Sequence, residues 1–333
     1  MKRLLERLSN ARGVSGREGE VREILTDEIA SSCDRLSTDA LGTLYATCDG
    51  DGPRICLLAH MDEVGMMVTH VDKDGYASFS PVGGIRPGLF PGARVLVGDD
   101  AVPGVIGHQP VHLQGTDQRE RPVDADALRI DVGDAADAIG IGDVATFDTT
   151  FFEQGGTFFG KAFDDRIGCA CLASLLTQGT DAALTCVFTV QEEVGLRGAS
   201  VAHAHVDAAY AIACEGTFAL DMPGMKDHER MPLMGKGPAI TLADRTLIAD
   251  QGVLAAIVSS AKDAGIPYQY KRPFLGGTDA GAFHTGGAGT PSAVIAVPCR
   301  YIHSPCALAH PGDVSAMAAL VARTVERLAG VRA

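Results

Sequence analysis

The chain has 333 residues, 46% of them apolar and 21% charged, the proportions of a well-packed globular protein too long for one simple core. Its net charge of −14, with no basic cluster, argues against nucleic acid as a partner. No apolar run is long enough to span a bilayer and no basic, hydrophobic leader precedes the first helix, while nine cysteines without a C-x-x-C pair suit a reducing cytoplasm.

The first elements read as helices. Leu4, Leu5 and Leu8 share one helical face, and Ser15-Gly-Arg-Glu18 is read as a capping box opening a second helix with Val21, Ile24, Leu25 and Ile29 on its apolar side. A strand is expected over 43–47. The continuous apolar run 54–59 then predicts a central strand buried on both faces, with His60, Asp62 and Glu63 following its end. From about 70 to 148 short strand-like runs alternate with turn clusters such as 81–88, and no helical period is sustained over most of it. This is the pattern of a β-rich insertion. His108 within it is read as structural.

After Gly155-Gly156 the α/β alternation resumes. Asp164-Asp165-Arg166 opens a helix with Ile167, Cys171, Leu172 and Leu175 on its apolar face. A strand over 184–190 runs into Glu192-Glu193, a short helix is expected over 199–204, and a strand over 209–214 ends in Glu215-Gly216. A helix carrying Val253, Leu254, Ile257 and Val258 and the segment Gly276-Gly-Thr-Asp-Ala280 precede a last apolar strand over 292–297, which leads to His303. The final helix uses Val314, Met317, Leu320, Val321 and Leu328.

The pair Glu192-Glu193, taken alone, reads as the start of a solvated loop, and Asp164-Asp165-Arg166 alone as a helix N-terminus with an ion pair. Their company changes both readings. His60, Glu192-Glu193, Glu215 and His303 each lie at or just after the end of an apolar strand, and Asp164 lies at a helix start. In open α/β sheets such strand ends are where ligands bind. Two imidazoles with several carboxylates suit zinc, cobalt or manganese, and the histidines make calcium a poor choice. Two ions sharing one carboxylate would absorb the negative charge. His203, His205, His284 and His310 are left as structural or surface residues.

At these residues the chain resembles family forty-two of the metallopeptidases, the dinuclear aminopeptidases that include glutamyl, deblocking and tetrahedral shell-forming enzymes. The motifs are Ala59-His-Met-Asp-Glu-Val-Gly65, Gly160-Lys-Ala-Phe-Asp-Asp-Arg-Ile-Gly168, Gln191-Glu-Glu-Val-Gly-Leu-Arg-Gly198, Gly276-Gly-Thr-Asp-Ala280 and Arg300-Tyr-Ile-His-Ser-Pro305. The resemblance implies an α/β fold, a phosphorylase/hydrolase-like mixed sheet flanked by helices on both faces with an inserted barrel-like domain. Its catalytic domain would comprise 1–68 and 152–333, and 69–151 would serve oligomerisation and substrate access. It implies further that His60 ligates one metal, oriented by Asp62, and that Asp164 bridges both metals while Asp165 is no ligand. Glu215, where the family often has aspartate, would complete the first metal; Glu193 and His303 would complete the second; Glu192 would be the general base.

The implied cofactors are two divalent ions, zinc before cobalt or manganese. The implied activity is release of N-terminal residues from peptides with a free N-terminus, by water held between the two metals. A dinuclear amidohydrolase or deacylase of acylated amino acids or peptides is the alternative use of the same site. The expected partners are peptide substrates and further copies of the chain, from a dimer to a dodecamer, with neither nucleic acid nor membrane. Arg300, close to His303 in the chain, is a candidate for favouring acidic first residues.

Overall fold

The computed structural model describes residues 1–116 and 121–330. Helix α1 (Lys2–Asn10) buries Leu4, Leu5 and Leu8, and α2 (Gly19–Ile29) buries Val21, Leu25 and Ile29, as their spacing requires. The capping box does not form. Since α2 starts only at Gly19, Ser15 is out of reach, and its hydroxyl donates instead to Asp62 Oδ2 at 2.6 Å. Glu18 Oε1 accepts from the N–H groups of Gly16 and Gln191, so it ties the loop before α2 to the segment carrying Glu192.

Strands β1 (Arg35–Thr38) and β2 (Leu44–Cys48) form a hairpin, and β3 (Asp51–His60) follows. The chain then leaves the main sheet for β4 (Gly65–Val71), β5 (Tyr76–Val82), β6 (Arg94–Val97), β7 (Val102–Gly107), β8 (Arg129–Asp131) and β9 (Val144–Phe147). These close into a barrel in the order β4-β5-β8-β7-β6-β9. Closure removes the exposed sheet edges. Met66, Phe79, Phe90, Ile106, Ile130 and Phe147 fill the barrel, a core separate from the main one.

The chain returns through β10 (Phe152–Gln154), β11 (Thr157–Gly160), α3 (Phe163–Gln178), β12 (Ala182–Thr189), α4 (Arg197–His205) and β13 (Tyr210–Phe218). It finishes with β14 (Ala239–Thr241), α5 (Gln251–Asp263), β15 (Gln269–Lys271), α6 (Ala280–Thr285), β16 (Ser292–Arg300), β17 (Ala307–Ala309) and α7 (Pro311–Ala329). The main sheet runs β1-β2-β12-β3-β13-β16-β17-β11-β10, with β14 and β15 branching from β16. Its centre, β12-β3-β13-β16, is parallel. Every residue of β12 is buried, as a parallel strand covered on both faces demands. Helices α1, α2, α3, α5 and α7 pack together and α4 packs with α6, and both groups pack on the sheet. Helix α7 starts with Pro311 and an N-cap bond from Gly312 N–H to His310 Nδ1 at 3.1 Å, and stops at left-handed Gly330. No helix among the described residues is long and apolar enough to cross a membrane.

Candidate active site

The parallel centre delivers the acids and imidazoles to one end of the sheet. His60 is the last residue of β3, Glu192 and Glu193 follow β12, and His303 follows β16. Glu215 departs from the sequence expectation: β13 continues to Phe218, so Glu215 lies inside the strand and is buried. The strand is prolonged because β16 pairs with it in parallel as far as Phe218 opposite Cys299. Gly216 lets the Asp164 backbone pack against this strand, since a Cβ there would meet it at 3.0 Å. Regular helical backbone in α3 begins only after Asp164 and Asp165, whose ψ angles are 102° and 45°. Non-glycine residues Ala162, Gln191 and His303 have positive φ, so three of the segments entering the site are held in uncommon backbone conformations.

Two donor sets share one carboxylate. Ligand atoms of His60, Asp164 and Glu215 lie within 4.8 Å of one another, and so do those of Asp164, Glu193 and His303. A third set at the same spacing joins His60, Glu192 and Glu193. Asp164 Oδ1 is 3.3 Å from His60 Nε2, and its Oδ2 is 3.6 Å from His303 Nε2, which is itself 3.1 Å from Glu193 Oε1. Asp165 belongs to none of these sets. Its oxygens accept from the N–H groups of His60 and Gly168.

Both imidazoles are oriented from behind. His60 Nδ1 lies 3.2 Å from the Asp62 carbonyl and 3.3 Å from Asp62 Oδ1, leaving Nε2 toward Asp164. His303 Nδ1 lies 3.2 Å from the carbonyl of Gly84, which follows β5 of the barrel. Such partners select the ring tautomer and aim the other nitrogen. Asp62 does more than hold His60. Completely buried, it also accepts from Ser15 Oγ at 2.6 Å, Glu192 N at 2.9 Å and Glu193 N at 3.1 Å.

Burial presses the Glu192 carboxyl well above the usual range, with the charges of Asp279, Glu193 and Asp164 adding to it and His60 opposing. Burial likewise raises Glu215, against the attraction of Lys271, and raises Glu193 against its bond to His303. Asp164 goes the other way: burial would raise it, but His303 and His60 together hold it below the usual range. For His303 burial opposes the charge, yet Asp164 and Glu193 lift its pKa to about 11. Burial opposes the charge on His60 too, and Asp164 and Asp62 raise it in the same manner. Glu215 Oε1 is buried with no hydrogen-bond partner. A buried carboxylate oxygen left without a donor is costly, and a cation held with His60 and Asp164 removes the deficit. The residues therefore fit divalent metal.

Other residues complete the surroundings. Glu63, Lys161 and Arg166 form a buried cluster, with Lys161 Nζ 2.7 Å and Arg166 Nη2 3.4 Å from Glu63 Oε1. It anchors the segments beside Asp62 and Asp164 to α1 and the residue after it, through bonds to the Leu8 and Ala11 carbonyls. Asp279 is buried and accepts from the Thr189 hydroxyl, just before Glu192 in the chain. Lys161 and Asp279 are visible in the sequence only as members of motifs, and nothing local signals their roles. Arg300 is paired within the chain. Its Nε and Nη2 each donate to Asp221 at 2.8 Å, which holds the Asp221 carboxyl below the usual range. The pairing engages two of the five Arg300 N–H donors with Asp221, a partner the sequence did not signal.

The family model described as M42 glutamyl aminopeptidase matches residues 42–320. A provisionally named aminopeptidase of Acetivibrio thermocellus is 38% identical over 94% of this chain and 94% of its own. Lysyl aminopeptidase of Pyrococcus furiosus is 32% identical over 98% and 96%, and glutamyl aminopeptidase of Lactococcus lactis subsp. cremoris is 32% identical over 89% and 88%. Among solved structures, the TET aminopeptidase of Thaumarchaeota archaeon SCGC AB-539-E09 has a TM-score of 0.94 at 36% identity, covering 98% of this chain and 96% of its own. The TET1 peptidase of Pyrococcus horikoshii, described as assembling into a tetrahedron or a large octahedral shell, has a TM-score of 0.86 at 30% identity, covering 97% and 98%.

Proposed function

The chain belongs to the M42 glutamyl aminopeptidase family and is a metal-dependent aminopeptidase, and from that premise we propose how its residues divide the work. The observation that carries the proposal is Asp164, the only residue shared by the sets containing Glu215 and His303. His60, Asp164 and Glu215 would hold one divalent ion, and Asp164, Glu193 and His303 would hold the other. Two such ions supply Lewis acidity toward the scissile carbonyl and toward water.

Glu192 is left for the proton. It stands beside His60 and Glu193 but outside the two sets joined by Asp164, and burial raises its carboxyl above the usual range, which makes the carboxylate a stronger base. It takes the proton of the attacking water and passes it to the leaving amine. Asp62 fixes the backbone N–H groups of Glu192 and Glu193 together with the His60 ring, so base and ligands keep their spacing. The substrates are peptides with a free N-terminus.

Zinc is the first choice of metal, with cobalt or manganese next, because the donor set mixes imidazole with carboxylate. The barrel, with the chain assembled as a homo-oligomer up to a dodecamer, would limit substrate access, a reading supported by the TET relatives. All nine cysteines are free thiols, in keeping with a reducing cytoplasm. The test is metal counting on the chelated and reloaded protein, with unblocked and N-acylated amino-acyl anilides as substrates. Two ions per chain and cleavage of unblocked anilides alone are expected. Cleavage of the acylated ones alone would replace the aminopeptidase reading with the deacylase one.

A further inference from the structure

Two of the three donor sets compete for one atom. His60 belongs to the set with Asp164 and Glu215 and also to the set with Glu192 and Glu193. Its Nδ1 faces Asp62, 3.2 Å from the carbonyl and 3.3 Å from Oδ1, which leaves Nε2 for a metal. One imidazole nitrogen offers a single lone pair and serves one ion at a time. The two sets are therefore alternatives, and Glu192 is a ligand in only one of them.

The set with Glu192 is the better prepared of the two. Buried Asp62 stands behind all three of its members: it accepts from Glu192 N at 2.9 Å and Glu193 N at 3.1 Å and faces the His60 ring. Glu18 adds a second tie to the same segment, accepting from Gln191 N at 3.2 Å. The competing set must gather three separate elements, with His60 on β3, Asp164 on α3 and Glu215 on β13. Donors already held in place bind with less ordering cost. The Glu193 side chain is only 5% exposed, and a buried carboxylate gains much from a cation.

We propose that His60, Glu192 and Glu193 form a third cation position, which takes the first divalent ion to enter and silences the enzyme by using its general base as a ligand. The inference rests on the two-ion reading above and deepens it, by giving the loading an order and the half-loaded protein a structure. One imidazole and two carboxylates are a three-ligand set that suits zinc. Glu193 belongs as well to the set with Asp164 and His303, so filling that set draws it away from the third position. His60 then exchanges Glu192 and Glu193 for Asp164 and Glu215, whose Oε1 otherwise has no hydrogen-bond partner. Glu192 is released for the proton only in the fully loaded protein.

The experiment is a zinc titration of the chelated protein against a competing chelator, giving two stepwise binding constants for wild type, Glu192→Gln and Glu215→Gln. In Glu192→Gln the first constant should fall at least roughly tenfold, the lower end of what losing a group behind a ligand costs. The second should rise by the same factor. The product of the two compares only the empty and two-ion states, and Glu192 is a ligand in neither. Glu215→Gln should do the opposite, keeping the first constant and lowering the product. A first constant unchanged in Glu192→Gln, or a product that falls with it, overturns the inference and leaves the aminopeptidase reading standing. Wild-type crystals holding one zinc per chain decide the matter even if a variant does not fold. Anomalous scattering should place that ion among His60, Glu192 and Glu193, and a peak beside Glu215 or His303 overturns the inference. A wild type that cleaves unblocked anilides yet never binds a second ion overturns the two-ion reading and this inference with it.

Discussion

Replacing Asp62 by asparagine changes one oxygen for an amide group and leaves the volume almost unchanged. The carboxylate now faces four donors: Ser15 Oγ, Glu192 N, Glu193 N and His60 Nδ1. An asparagine oxygen turned toward Oδ1's partners keeps Glu192 N and His60 satisfied. Its amide then points at Ser15, whose hydroxyl can turn to accept, and at Glu193 N, which cannot. One buried donor is thus stranded against another, at a cost of roughly 1–3 kcal/mol. Loss of the negative charge also weakens the hold on the His60 ring, and comparable changes behind a ligating histidine lower metal affinity roughly 10- to 100-fold. Thermal unfolding of the metal-free protein should therefore show a destabilisation of that size. Chelator competition should show weaker binding of the ion held by His60. A variant that melts like wild type and binds both ions unchanged would refute the reasoning, because it would mean these four contacts do not organise the site.

Other perturbations separate the roles. Glu192→Gln should retain two ions per chain yet lower kcat by roughly 10²–10⁴, the usual worth of a general base, measured on the anilide it cleaves best. Gly84→Ala should weaken the ion held by Glu193 and His303 more than the other, since the new Cβ would lie 3.2 Å from His303 Nδ1; equal loss at both sites in a metal titration would count against a link from the barrel to one ion. Asp221→Asn should cost roughly 1–2 kcal/mol at neutral pH, a figure reduced for the partial exposure of Arg300. The Asp221 pKa is lowered on folding, so its contribution is present above the unfolded value of about 4 and disappears as pH falls through the folded one. Denaturation curves of the two proteins should thus converge in acid, and a difference that persists there would exclude the Arg300 pairing as its source.

The sequence by itself determined the helices whose apolar residues recur at helical spacing, the apolar parallel strands, and the motifs that mark the family. These are local properties, because a buried strand needs an unbroken apolar run and an amphipathic helix needs its period. Tertiary structure decided how the pieces meet. The order β12-β3-β13-β16 sets which strand ends are neighbours, and through it Asp164 comes within reach of both His60 and His303. The length of β13 is decided by its partner β16, which is why Glu215 lies inside a strand that its own residues seemed to end. The carbonyl of Gly84 reaches His303 across 219 positions of chain, and the Asp221–Arg300 pair spans 79. Hydrogen bonds of this kind leave no periodic trace in the chain, since each depends on where two distant segments are brought to rest.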